Sequence, residues 1–171
     1  MTETLKKDRV DISVIVPVYN SVNYLRECVN SLVSDVNVSY EVILVDDGSD
    51  DGSSELCDEL CTRYRTISVI HTENRGAGNA RNTGLEAAEG KYFIFVDSDD
   101  EACPGMLDTL FQDAEENGTE AVFCGFSEIY GESGIIEHTP SLKGPADRKA
   151  AMRSVLSGIG NGYFTSIWNK L

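Results

Sequence analysis

The sequence predicts an α/β protein: a mostly parallel sheet flanked by helices, with an antiparallel hairpin in the C-terminal part. Two observations predict this fold class. Apolar runs rich in β-branched residues alternate three times with segments of helical spacing within the first 90 residues. The connections between these segments are short, and short strand–helix–strand units build parallel sheets.

The first strand and helix are predicted near the N-terminus. Residues 12–19, ISVIVPVY, are apolar without alternation, which is typical of a strand that is covered on both faces. Asn20 and Ser21 are suited to cap the helix that follows. The apolar residues of that helix keep a helical spacing over residues 22–33.

Two more strand–helix units follow, and then a fourth strand. The strands are predicted at residues 40–47 and 66–72, and the helices at residues 53–64 and 78–88. The fourth strand is the apolar run YFIFV, which leads directly into the acidic segment DSDDE at residues 97–101.

After Pro104 the pattern changes. The segment MLDTLFQDAEENG predicts a helix that ends at Gly118. Residues 120–130 and the later segment IIEHT predict a hairpin, so that an antiparallel pairing joins the sheet. A last helix is predicted at residues 145–158, with Pro145 in its first turn.

The composition argues against one class of partner. Acidic residues outnumber basic ones 29 to 14, for a formal net charge of −15. Binding to nucleic acid needs clustered Lys and Arg against the phosphates, so we expect no nucleic-acid partner. The five cysteines contain no CxxC pair, and we expect reduced thiols rather than a zinc site.

The chain carries no visible targeting or membrane signal. Its N-terminus, MTETLKKDRV, is polar and lacks the apolar core of a signal peptide. No apolar run approaches the roughly 18 residues of a transmembrane helix. We therefore expect a cytoplasmic protein with no transmembrane segment in this chain, and the full-length protein is compatible with a position at the membrane surface.

Polar clusters follow four of the predicted strands, at residues 19–20, 46–47, 72–75 and 97–101. Parallel α/β sheets gather their ligands at the carboxyl ends of the strands, where these clusters lie. The sequence therefore predicts one ligand site at this edge of the sheet.

Asp97 and Asp99 are candidate metal ligands. Side chains two positions apart share a face of a strand, so both carboxylates can reach one small cation. Mg²⁺ and Mn²⁺ take few protein oxygens and complete their shells with water and substrate phosphates. Acidic residues can instead serve a turn or the start of a helix, a role that we assign to Asp100 and Glu101.

Asp47 follows the second strand and is suited to accept a hydrogen bond from a uracil N–H or a ribose hydroxyl. The nearby Asp50 and Asp51 are expected instead in a solvated turn that caps the next helix.

Residues 74–78 and the helix after them form a local basic patch with Arg75 and Arg81. Glycines allow a close backbone approach, and a helix N-terminus with two arginines favours phosphate. Alternatively, Arg81 is an ordinary solvated surface residue. Neither His71 nor His138 lies beside a nucleophile signature, so no catalytic triad is predicted.

Four segments together resemble glycosyltransferase family 2, whose members are inverting enzymes with the GT-A fold: SVIVPVYN, VILVDDGSDDGS, HTENRGAGNARNTGLEAAEGKYFIFVDSDD and SIWNKL. The resemblance is close over residues 11–110. It implies one GT-A domain over residues 1–171, truncated at its C-terminus. Residues 1–110 would form the donor-binding half, and residues 111–171 would begin the acceptor-side half.

The resemblance also implies a reaction and the residues that serve it. A sugar would pass from a nucleotide sugar, most often UDP-linked, to a glycan or lipid-linked hydroxyl, as in polysaccharide biosynthesis. Asp97 and Asp99 would bind Mg²⁺ or Mn²⁺, with Asp99 in the more direct contact. The residues implied for nucleotide-sugar binding are Pro17, Val18, Tyr19, Asp46, Asp47, Arg75, Arg81, Asp97 and Ser98.

The catalytic base of the family is implied to follow Leu171. In the family it lies beyond a segment that resembles WNKL, often in a Glu-Asp pair, and Glu132, Glu137 and Asp147 do not sit in such a motif. The base would deprotonate the acceptor hydroxyl for a single displacement at the anomeric carbon. We therefore expect an N-terminal fragment that binds donor and metal and turns over little.

Three other interpretations stay open at this point. A sugar-nucleotide nucleotidyltransferase has related architecture, but it normally carries a Gly-rich, Arg-containing loop after the first strand, where this chain reads PVYNSVNY. A phosphoacceptor signalling domain needs an acidic pair after the first strand, which is absent here. The third interpretation is a nucleotide-binding module without catalysis.

Overall fold

The structure, a computed structural model, describes residues 9–130, 134–139, 144, 146, 147, 149 and 166–169. The helices are α1 Leu25–Val33, α2 Ser53–Arg63, α3 Ala77–Ala87 and α4 Met106–Asn117. The strands are β1 Ile12–Val18, β2 Tyr40–Asp46, β3 Ile67–His71, β4 Tyr92–Phe95, β5 Ala121–Phe123, β6 Phe126–Ile129, β7 Ile135–His138 and β8 Ser166–Asn169.

A six-stranded sheet in the order β3-β2-β1-β4-β8-β5 forms the centre of the fold. The strands β1 to β4 pair in parallel, as the alternation of strands and helices predicts. The strand β8 runs antiparallel to both β4 and β5. This confirms the predicted fold class, a mostly parallel α/β sheet with antiparallel elements in the C-terminal part.

The central strand β1 contributes to a core on each face of the sheet. Ile12, Val14 and Val16 pack in the larger core, together with apolar residues of α1, α2 and α4. Ile15 points the other way and packs beside Ala80 of α3 in the smaller core. Since neighbouring strand residues face opposite sides, a strand covered on both sides needs the uninterrupted apolar run that the sequence shows.

Helix α3 approaches the sheet closely at Gly84. A Cβ atom added to this glycine would lie 2.4 Å from Cγ2 of Ile15 and 3.2 Å from Cγ2 of Val45. The absence of a side chain therefore sets the distance between α3 and the two central strands. The same helix carries Arg81, one turn nearer its N-terminus, toward the carboxyl ends of the strands.

The C-terminal part differs from the sequence prediction in three respects. The predicted strand at 120–130 is two strands, β5 and β6, with a break at Cys124 and Gly125, and a Cβ atom added to Gly125 would lie 2.3 Å from the carbonyl oxygen of His138. The hairpin of β6 and β7 is confirmed, but it forms a separate two-stranded sheet. The strand β8, which was not predicted, supplies the antiparallel pairing in the main sheet. The helix predicted at 145–158 lies almost entirely outside the described residues.

The start of α1 also differs from the prediction. The helix begins at Leu25, and Tyr24 precedes it without a side-chain capping bond, so Asn20 and Ser21 do not cap it. In the part of the chain that the structure describes, no helix combines the length and the apolar character that spanning a membrane requires.

We predict opposite effects for two glycine substitutions within α3. Gly84→Ala should lower the free energy of unfolding by about 1–3 kcal/mol, because its methyl group overlaps Ile15. Gly78→Ala should be neutral or stabilising by up to about 1 kcal/mol, because alanine favours the helix and open space surrounds this position. Urea denaturation of both variants measures the difference. A Gly84→Ala protein as stable as Gly78→Ala would contradict the close packing.

Candidate functional site

A cavity of about 350 Å³ lies at the carboxyl ends of β1 and β4. From β1 the chain proceeds outward to β2 and β3 and then returns to β4, so the order of strands reverses at this point. Open α/β sheets bind ligands in the crevice at such a reversal. The cavity is lined by Pro17, Val18, Tyr19, Asn20, Ser21, Tyr24, Asp47, Ala77, Ala80, Arg81, Asp97, Ser98 and Asp99.

Aromatic residues from the segment after β1 form one wall of the cavity. Pro17 and Val18 end the strand and are buried, whereas Tyr19 is 52% exposed. Tyr24, at 59% exposure, also lines the cavity and was not predicted as a site residue. The two rings offer flat apolar surface next to the polar groups from β2 and β4.

Asp47 is buried to 3% exposure, and its carboxylate accepts three hydrogen bonds from the β3–α3 loop. The backbone N–H groups of Arg75 and Gly76 donate to it at 2.9 Å and 2.7 Å. The hydroxyl of Thr72 donates at 3.2 Å, and the same hydroxyl lies 3.3 Å from the carbonyl oxygen of Asp46. Gly76 has a φ of 90°, a conformation that favours glycine and turns the loop around the carboxylate.

Asp46 is held by protein groups and does not line the cavity. Its Oδ1 accepts the backbone N–H of Ser49 at 3.1 Å, and its Oδ2 lies 2.9 Å from Nδ1 of His71. Burial disfavours the charged form, but the hydrogen bonds from Ser49 and His71 outweigh it and lower the pKa of Asp46. The carboxylate therefore supports the turn that carries Asp47.

His71 connects β3 to two carboxylates. Besides Asp46, its ring meets Oδ1 of Asp58 on α2, 3.2 Å from Nε2. The hydrogen bond with Asp46 raises the pKa of His71, burial opposes this shift, and Asp58 adds to it. Because a carboxylate lies beside each ring nitrogen, the doubly protonated imidazolium can donate one hydrogen bond to Asp46 and one to Asp58.

The two predicted arginines lie in different surroundings. The side chain of Arg75 is 70% exposed and lies 3.6 Å from Glu73, beside a second cavity of about 320 Å³ that also contacts Asp47. Arg81 lines the first cavity, and its Nη2 lies 2.5 Å from Oδ1 of Asp97. Arg81 is thus paired within the site rather than solvated separately.

The acidic turn after β4 presents two carboxylates to the cavity. Asp97 and Asp99 are exposed, and within the described residues Asp99 has no side-chain hydrogen bond or ion pair. Asp100 has a raised pKa because of burial first and then the charges of Asp99 and Asp97. The turn therefore carries a negative potential, which the pairing of Arg81 with Asp97 offsets only in part.

The donor set of this turn fits a hard divalent cation. The described residues contain no group of three or more His, Cys, Asp or Glu side chains that could hold a metal. A cation at this turn would take two carboxylates, from Asp97 and Asp99, and its remaining oxygens from water or a ligand. Mg²⁺ and Mn²⁺ bind in this way where they bridge to phosphates.

Beneath the acidic turn, Cys28 of α1 is buried and its Sγ lies 3.5 Å from the carbonyl oxygen of Asp97. Burial, and then the charges of Asp100, Asp99 and Asp97, raise the pKa of Cys28 to about 12. The group is a protonated thiol that donates a weak hydrogen bond. All five cysteines are free, as expected from their spacing.

A family comparison matches most of the chain. The family described as Glycosyl transferase family 2 matches residues 13–168. The chain is 43% identical over 115 residues to the uncharacterized glycosyltransferase EpsJ of Bacillus subtilis, covering 67% of this chain and 33% of the relative. It is 42% identical over 123 residues to the glycosyltransferase GlyG of Streptococcus pneumoniae, covering 71% and 40%. The chain thus spans about a third to two fifths of the length of these relatives.

Solved structures share the fold. TarS of S. aureus, determined in complex with UDP and with UDP-GlcNAc, superimposes with a TM-score of 0.61 at 33% identity, over 66% of this chain and about a third of that chain. The mannosyltransferase PcManGT of Pyrobaculum calidifontis, in complex with GDP-Man and Mn²⁺, gives a TM-score of 0.61 at 25% identity, over 69% of this chain and 36% of that chain.

We predict that the stabilising effect of His71 declines as the pH rises. Because the pKa of His71 is raised in the folded state, protonation of His71 stabilises the fold. This stabilisation is complete below the ordinary pKa of about 6.5 and is lost as the pH rises through the raised pKa. The loss in free energy of unfolding on His71→Gln should therefore be larger at about pH 5.5 than at about pH 8.5.

Denaturation across this pH range measures the effect, and Asp58→Asn is the matched variant. It keeps the imidazole of His71 but removes the charge of one partner. The difference in free energy of unfolding between wild type and this variant should also decrease as the pH rises, but by less than the difference for His71→Gln. A His71→Gln effect that stays constant or grows with pH would contradict the assignment.

Proposed function

This chain belongs to glycosyl transferase family 2, and we propose on that basis that it binds the nucleotide-sugar donor of an inverting sugar transfer. The observation that carries the proposal is the convergence of Asp47, Arg81, Asp97 and Asp99 on one cavity at the sheet edge. A volume of about 350 Å³ is within the range of small-molecule sites. Because the matched family consists of sugar transferases, we no longer favour the nucleotidyltransferase and signalling-domain alternatives.

The hydrogen bonds of Asp47 favour uracil as the base. A carboxylate offers about four lone-pair sites, and the β3–α3 loop uses three of them. One acceptor site remains, which suits the single ring N–H of uracil. Guanine presents two neighbouring donor groups and needs two acceptors. The rings of Tyr19 and Tyr24 provide surface beside the base and ribose.

The diphosphate is assigned to Arg81 and the acidic turn. Among the described residues that line the cavity, Arg81 carries the cationic side chain, and it is already oriented by Asp97. Mg²⁺ or Mn²⁺ on Asp97 and Asp99, when bound, would supply positive charge to the leaving diphosphate. Arg81 would contact the same phosphate oxygens through charge-assisted hydrogen bonds.

We propose that the whole protein carries out a single displacement. An acceptor hydroxyl of a glycan or lipid-linked sugar forms a bond to the anomeric carbon from the face opposite the nucleotide. The bond from this carbon to the diphosphate breaks, the nucleotide leaves with the electron pair, and the hydroxyl proton passes to a carboxylate base. That base stays a prediction for the sequence after Leu171.

We expect Mn²⁺ to tighten UDP binding in the wild-type chain and Asp99→Asn to remove most of this gain. Asparagine keeps the size of the side chain but takes one negative charge from the metal ligands, so the gain should fall by roughly tenfold or more. Isothermal titration with UDP, with and without Mn²⁺, measures it. Asp113→Asn makes the same charge change on the exposed face of α4 and should leave the gain intact.

Equal UDP affinity of Asp99→Asn and wild type in the presence of Mn²⁺ would refute the metal assignment. It would leave the nucleotide assignment standing, since that depends on Asp47.

We also expect the chain to discriminate between pyrimidine nucleotides. Cytosine presents an acceptor, N3, at the ring position where uracil presents its N–H, so that in the same pose the base would place an acceptor against the Asp47 carboxylate. This mismatch should weaken CDP relative to UDP by about 1–3 kcal/mol. Competitive titration of UDP, CDP and GDP at one Mn²⁺ concentration measures the order. CDP binding as tight as UDP would exclude Asp47 as the reader of the base.

A further inference from the structure

A buried serine lies between the two proposed metal ligands. Ser98 is 7% exposed, whereas Asp97 and Asp99 on either side of it face the cavity. Its Oγ lies 2.7 Å from Oγ of Ser21, which is 8% exposed and belongs to the segment after β1. This hydrogen bond joins the ends of the two strands between which the cavity opens.

The other contacts of Ser21 indicate the direction of this bond. Its hydroxyl lies 3.1 Å from the carbonyl oxygen of Tyr19, which can only accept. When the one hydroxyl proton of Ser21 is donated to Tyr19, Ser98 must donate to Ser21. Each hydroxyl then has one defined partner for its proton, and the rotamer of Ser98 is held.

Ser21 is itself anchored from a third loop. Its backbone N–H donates to Oγ of Ser53 at 2.8 Å, and Ser53 is fully buried at the start of α2. The hydroxyl of Ser53 donates to Oδ1 of Asp51 at 2.6 Å, and Oδ2 of Asp51 accepts the backbone N–H of Val22. The bonds therefore run from the loop after β2, through the loop after β1, to the acidic turn after β4.

We propose that Ser21 is a positioning residue, whose hydroxyl holds Ser98 and thereby keeps the carboxylates of Asp97 and Asp99 directed at one cation. The inference rests on the proposed donor and metal site. The two carboxylates repel each other in the absence of a cation, so their common orientation needs support from the protein. The described support for Asp97 is its ion pair with Arg81, the Asp100 N–H bond to its carbonyl and the weak thiol bond of Cys28. All three act on Asp97, and none holds Ser98, the residue between the two carboxylates.

The test measures how each substitution changes the Mn²⁺-dependent gain in UDP affinity, separately from its effect on stability. Ser21→Ala removes the hydroxyl and should lower the Mn²⁺-dependent gain in UDP affinity about tenfold, the lower end for residues that orient metal ligands. Titration of each variant with UDP in the absence of metal supplies its own reference, so that a metal-independent change in affinity cancels from the gain. Ser13→Ala is the matched control, because Ser13 is also buried on β1 and bonded through its hydroxyl, but at the other end of the strand. It should retain the full Mn²⁺ gain, whatever its stability.

A second variant tests the same bond from its other side. Ser98→Ala should reduce the Mn²⁺ gain as Ser21→Ala does, and the double variant should lose no more than either single one, because all three lack one shared interaction. Additive losses, or a Ser21→Ala protein with the full wild-type gain, would overturn the positioning role alone. A wild-type chain whose UDP affinity does not respond to Mn²⁺ would overturn the proposed metal site and this inference together.

Discussion

The rest of the site depends on the buried carboxylate of Asp47. A charge at 3% exposure is stable when hydrogen bonds replace its water, and three groups of the β3–α3 loop do so. These bonds determine where the loop ends and where α3 begins. Helix α3 in turn carries Arg81 to Asp97 of the β4 turn. The hydrogen-bonded carboxylate of Asp47 thereby aligns loops that follow β2, β3 and β4 around the same cavity.

The electrostatics of the cavity are compatible with the anionic donor that we propose, although the chain is acidic. With a net charge of −15, the protein repels a diphosphate at long range. Near the β4 turn, Arg81 offsets part of the charge of Asp97, while Asp99 stays unpaired among the described residues. A divalent cation there would reverse the sign of the local potential. Selectivity for phosphate would then come from this one position and not from the overall charge.

Local patterns in the sequence predict the parallel sheet and the residues at its edge, because apolar runs and strand-end carboxylates are short-range signals. In the structure, Asp47, Arg81, Asp97 and Asp99 line one cavity. The hydrogen-bond partners of these residues could not be predicted. Asp47 accepts hydrogen bonds from backbone N–H groups 28 and 29 residues away, and every residue type except proline has such a donor. The strand β8 was missed for a related reason: four residues carry no clear period, and the pairing with β4 is non-local. Ser21 was interpreted as a helix cap, because a serine before a helix usually serves that purpose.

The position of β1 determines how firmly the frame of the site is held. This strand is buried along all seven residues and is paired on both edges, to β2 and to β4. We expect its amide hydrogens to exchange with solvent only through openings that approach global unfolding. Ser21 lies three residues after this strand and is bonded to the buried Ser53 and Ser98, so we expect its position to be lost late in unfolding. We therefore expect ligand binding to move the solvent-facing side chains of the site more than the frame that holds them.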